Sequence, residues 1–180
     1  TAPIGCLILG FFLIGQALPK SLMDQWKDVE SEIKKGLPKT AIEKIDTLIN
    51  RALKNGSHAV AIRAIGQKIN LEGAIEGNKA EEKIAKMEEE IAKAPEALKP
   101  MMRAVLSNWY WQYFQQNRWR FAQRTRTAEA RGEDITTWDL SRILSEIDKQ
   151  FQKTLSYHEV LKKEAIGDYD FLLKKGNVPE

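Results

Sequence analysis

From Leu22 to Leu155 the apolar residues of this chain recur three or four positions apart, and no window alternates apolar with polar residues as a half-buried strand does. That periodicity restricts the chain to α-helices, and glycine and proline mark where each one stops. Leu22, Trp26, Val29 and Ile33 stripe a first helix that ends at Gly36. Pro38 opens a second, whose broad face of Ala41, Ile42, Ile45, Leu48, Ile49, Ala52 and Leu53 runs to a left-handed cap at Gly56. A third, from Ser57 to Leu71, carries Ala59, Ile62, Ile65 and Ile69, with Gly66 able to admit a close neighbour. Helices two and three then form an antiparallel hairpin.

Gly73, Gly77 and Asn78 read as a loop, after which Ile84, Met87 and Ile91 form a narrow seam stopped near Pro95. Pro100 suits a first turn, and a long helix is expected from Met101 to about Arg124. Gly132 lies in a second loop. Thr136, with Asp139 three positions on, resembles a capping box ahead of Leu140, Ile143, Leu144, Ile147, Phe151 and Leu155, the cleanest amphipathic stripe of the chain. A short last helix is expected from Tyr169 to Lys175, ending at Gly176. The predicted fold is all-α, with antiparallel helical hairpins in a small bundle or short solenoid-like array of about six or seven helices. The tetratricopeptide signature is not met.

Ahead of these helices, Ile4 to Ile14 reads IGCLILGFFLI, well short of the ~20 residues that span a bilayer but right for a signal-peptide core. Gly15-Gln16-Ala17 supplies small residues for cleavage after Ala17, so residues 1–17 are read as a signal peptide and 18–180 as one helical domain. A core helix is the rival reading, but the run has no polar face. Cys6 sits too early for a lipoprotein signal. It would leave with the leader, and the mature domain would then have no disulfide, thiolate metal site or thiol nucleophile. The expected location is therefore the periplasm or cell envelope, without a stable membrane span in the mature form. The chain stops at Asn177-Val178-Pro179-Glu180, which reads as the exit toward further domains.

The net charge of +3 points to neither nucleic acid nor a membrane surface. His58 and His158 have no Asp, Glu or Cys at metal-ligand spacing, so solvated or capping roles are expected. No Gly-x-Ser-x-Gly elbow and no phosphate-cradling loop occurs, and Glu88-Glu89-Glu90 among lysines reads as a solvated face. The sequence predicts no enzyme, no cofactor and no metal. Its one unusual stretch is Trp109 to Arg131, where Trp109, Trp111, Tyr113 and Trp119 interleave with Arg118, Arg120, Arg124, Arg126 and Arg131. Rings among arginines suit single-stranded nucleic acid. The simpler reading is a central helix packed on two sides, with Trp109 and Tyr113 on one face and Trp111 and Trp119 on another, and arginine stems covering rings. Trp109, Trp111, Tyr113, Arg118, Trp119 and Arg120 thus form a core or protein-contact cluster, and no nucleic-acid partner is expected.

Three stretches, KGLPKTAIEKID at Lys35 to Asp46, NWYWQYFQQNRWRFAQRT at Asn108 to Thr125 and TTWDLSRILSEID at Thr136 to Asp148, resemble the N-terminal helical region of large bacterial alpha-2-macroglobulin-like proteins. The resemblance extends over nearly all of the mature chain. It implies a non-catalytic scaffold at the front of an exported protease trap, with the downstream domains of the same polypeptide as partners. Another envelope protein, or a target protease met by the full-length protein, is a further implied partner. The Cys-x-Glu-Gln thioester that many members use, the bait region and the macroglobulin domains are not in this sequence. A stand-alone helical-repeat adaptor that binds a peptide or envelope protein is the competing reading.

Overall fold

The computed structural model describes residues 21–124, 132 and 134–169. Among them are seven α-helices and no strand: α1 Leu22–Lys34, α2 Pro38–Lys54, α3 His58–Ile75, α4 Ala80–Lys93, α5 Lys99–Gln123, α6 Leu140–Leu155 and α7 His158–Leu161, with 3₁₀ turns at Ile135–Thr137 and Ile166–Tyr169. The expected leader (residues 1–17, with Cys6), Arg126, Arg131 and the last helix beyond Tyr169 lie outside the described residues. No described helix is long and apolar enough to cross a membrane.

The turns follow from local chemistry. Ser21 caps α1, its hydroxyl accepting the Asp24 amide at 3.1 Å. Pro38 and Pro100 occupy first turns, where a missing N–H costs nothing. Gly36 and Gly56 end α1 and α2 at φ +72° and +66°, which lets the next amides fold back: Leu37 N donates to Glu32 O at 3.0 Å and Ser57 N to Ala52 O at 2.8 Å.

Two sequence expectations give way here. Gly73 is helical, not part of a loop; α3 continues over it to Ile75, and the Lys83 side chain lies against it, where an added Cβ would meet Lys83 Cε at 2.5 Å. The turn begins instead at Gly77 and Asn78, both at positive φ. The cap of α6 is Asp139, whose carboxylate accepts the Arg142 amide at 2.8 Å, while Thr136 sits in the preceding 3₁₀ turn under Asp134. After α6 the chain makes one more helical turn, α7, and Tyr169 lies in a 3₁₀ turn with its ring buried.

Each long helix packs chiefly on its neighbours in sequence, α1 on α2 through α5 on α6, which gives an array and not a closed ring. Two apolar cores result. The smaller joins Trp26 and Val29 of α1 to Ala41, Ile45 and Leu48 of α2 and Ala64 and Leu71 of α3. The larger runs from α3 through Ile84, Met87 and Ile91 of α4 and Met102, Val105, Leu106, Tyr110 and Tyr113 of α5 to Ile143 and Ile147 of α6. Ile49 and Val60 pack against both cores, so they abut. Helices α5 and α6 are antiparallel, with register fixed at one end by the Ser107 and Thr154 hydroxyls, 2.9 Å apart and buried, and at the other by Arg124, which donates to the Trp138 carbonyl at 2.8 Å.

Candidate protein-interaction surface

The aromatic and arginine-rich segment divides in two. Tyr113 is buried, edge-on to Phe121 with centroids 6.0 Å apart, and Trp109 packs half-buried against the larger core. Arg120 lies over the rings of Tyr113 and Phe121 at 5.6 and 5.4 Å and donates to the Tyr113 hydroxyl. Burial raises the Tyr113 pKa, and Arg120 acts against it by lowering it. Tyr113 is thus a neutral core phenol. Packing on both sides of the helix does not hold, however: Trp111 is 39% and Trp119 64% exposed, and Arg118 is exposed as well. Among the described residues, Trp111 makes its ring contact within its own helix, tilted on Phe114 at 5.6 Å.

The stripe on α6 also divides. Ile143 and Ile147 are buried, but Leu140, Leu144, Phe151 and Leu155 stand exposed, Leu155 most at 58%. Projected at 100° per residue, these four fall within about 60° of one another, beside the buried arc and away from it. That arc instead takes in Glu146, Gln150 and Thr154. The register of α5 against α6 puts Trp111 level with Phe151. Round α5 it stands about 100° from Tyr110, whose hydroxyl donates to Glu88 at 3.1 Å, so Trp111 faces away from α4. Trp111, Leu140, Leu144, Phe151 and Leu155 therefore line the flank of the α5–α6 pair opposite α4.

Sequence periodicity placed the α6 stripe on one side of a helix but could not say what covered it. The only signal was the polar series Glu146, Gln150, Thr154 at i, i+4, i+8, which competes with the leucines for the inward position. The other end of the array is held by charges. Glu32 of α1 accepts from Lys44 of α2 at 2.6 Å and from Lys35 at 3.3 Å, and the Lys44 bond, chiefly, lowers its pKa. Trp26 carries Arg63 of α3 over its ring at 3.9 Å.

Among the described residues no group of three or more His, Cys, Asp or Glu is placed to hold a metal ion. His158 opens α7, with Nδ1 3.0 Å from the carbonyl of Leu155, the last residue of α6, and Nε2 2.9 Å from Glu159. No protein-family model, no curated protein and no solved structure matches the chain. What the described residues define is an array of antiparallel α-helical hairpins.

Proposed function

We propose that this chain is a non-catalytic docking module, a helical scaffold at the front of an exported alpha-2-macroglobulin-like protein. A further domain of the same polypeptide then seats on the outer flank of α5 and α6. The observation that carries this reading is the exposed line of Leu140, Leu144, Phe151 and Leu155 beside Trp111. Contiguous exposed apolar surface marks interaction sites in soluble proteins, whereas scattered single residues need no explanation. A flat helical flank suits another helix or sheet better than a small ligand, which needs a concave, enclosed site.

The test is amide exchange on α6 in this chain alone and in the same chain extended through its following domain. Slower exchange at 140–155 in the longer protein, abolished by Phe151→Glu, is expected. Equal exchange in both proteins would overturn the proposal. A coding sequence with no β-rich macroglobulin domain after residue 180 would remove the protease-trap part of it and leave the adaptor.

A further inference from the structure

The apolar flank of α5 and α6 reads the same from either end. Its four α6 residues, Leu140, Leu144, Phe151 and Leu155, follow one another at spacings of four, seven and four, a series symmetric about the midpoint between Ile147 and Asp148. All four stand between 37% and 58% exposed. An antiparallel helix that carries the same series sets Leu140 opposite Leu155 and Leu144 opposite Phe151, and does so at both ends at once. A two-fold contact demands this reciprocity, since a residue that meets a second must be met by it in return.

The register of α5 on α6 extends the match to the second helix. Ser107 is level with Thr154 and Arg124 with Trp138, so Trp111 stands level with Phe151 and Arg118 with Leu144. Trp111 and Arg118 lie two turns apart, which leaves them within about 20° of one another round α5. Both are exposed. Where Leu144 faces Phe151 of a second copy, Arg118 therefore comes level with Trp111 of that copy, a guanidinium beside an open ring. Two α5–α6 pairs so joined make an antiparallel four-helix bundle.

One group opposes the arrangement. Asp148 is exposed, lies at the outer margin of the flank and adjoins the symmetry point, so two copies bring their Asp148 carboxylates close together. Like charges across a contact weaken it, which keeps the association loose and supplies a substitution that should tighten it.

We propose that this flank closes on a second copy of the chain, α6 antiparallel to α6 about the midpoint of Ile147 and Asp148, whenever no further domain is seated there. The inference rests on the reading of the flank as a docking surface and names its occupant in the chain alone.

The test is sedimentation equilibrium of the full chain carrying Cys6→Ser, which removes its one thiol. The mean mass should rise from one chain toward two between about 1 and about 500 µM, as a small transient interface requires. Leu144→Glu and Phe151→Glu, both at exposed positions, should each weaken association at least about tenfold with helical circular dichroism unchanged, and Asp148→Asn should strengthen it. Register is read with single cysteines on the same background. A mixture of the Leu144→Cys and Phe151→Cys chains should oxidise to the mixed disulfide faster than either chain does to its own dimer, because only the unlike positions face each other. A monomer at every concentration, association that survives both glutamate variants and so runs through another surface such as residues 4–14, or equal cross-linking in all three cysteine samples would each overturn the proposal. Failure of the docking reading is distinct, because its exchange comparison is made at about 1 µM, where copies are apart. Unchanged exchange there removes the following domain and leaves the second copy standing, whereas slowed exchange in a chain that stays monomeric removes the second copy alone.

Discussion

Helix α2 carries a broad apolar face in sequence and α6 the cleanest stripe, and the structure uses them in opposite ways. In α2 the stripe of Ala41, Ile45, Leu48 and Ala52 is completely buried, enclosed by α1 on one side and α3 on the other. In α6 only Ile143 and Ile147 go inward, and the rest of the stripe faces out while Glu146, Gln150 and Thr154 share the interior. A helix in the middle of an array has neighbours on two sides; the last long one has a neighbour on one. Amphipathicity therefore reports that a face is apolar, and position in the array decides whether the chain itself covers it.

The sharpest way to break this comparison is to truncate matching leucines. Leu48→Ala in α2 empties a fully buried site and should cost about 2–5 kcal/mol. Leu144→Ala in α6 removes a side chain already 41% exposed and should stay within about 0.5 kcal/mol of the parent in the isolated chain. Urea unfolding of both variants measures the difference. Similar losses would mean that the α6 flank is covered and that no docking surface exists there.

The helices were legible in the sequence because each carries its own stripe and its own stop: Gly36, Gly56 and Pro38 sit where the spacing put them. Features set by a distant partner were not. Gly73 reads as a loop until Lys83, from the next helix, covers it. Trp111 and Trp119 have the composition of a second core face, yet no described helix packs over them and both stand exposed. The alpha-2-macroglobulin-like resemblance rests on stretches of sequence and gains its test from the coding sequence after residue 180.

A middle-sized effect concerns how α6 begins. Asp139 alone caps it, through the Arg142 amide, whereas α2 starts with no side-chain cap and relies on Pro38 and its buried stripe. Asp139→Ala should cost about 1 kcal/mol and fray the first turn of α6, which exchange at 140–143 would register. A helix anchored by packing on one side only depends more on its cap than one packed on both. Equal exchange in the parent and the variant would contradict that dependence.

The smallest effect expected separates the two regions by pH. Glu32 bridges α1 and α2 through Lys44, and those bonds hold its pKa below the ordinary carboxylate value. Glu146, its counterpart on α6, bonds among the described residues to Lys149 and Gln150 of its own helix. A carboxyl whose folded pKa is lowered stabilises the fold above its unfolded pKa, and that contribution disappears as pH falls through the lower, folded value. The parent should therefore lose melting temperature on acidification through the carboxylate range, and Glu32→Gln should lose less over the same interval while starting slightly lower at neutral pH. The contact is partly open to water, so added salt should shrink the difference at neutral pH. An unchanged acid limb in Glu32→Gln would show that the bridge between α1 and α2 contributes nothing measurable, and that this end of the array is held by the packing of Trp26, Ile45 and Leu48 alone.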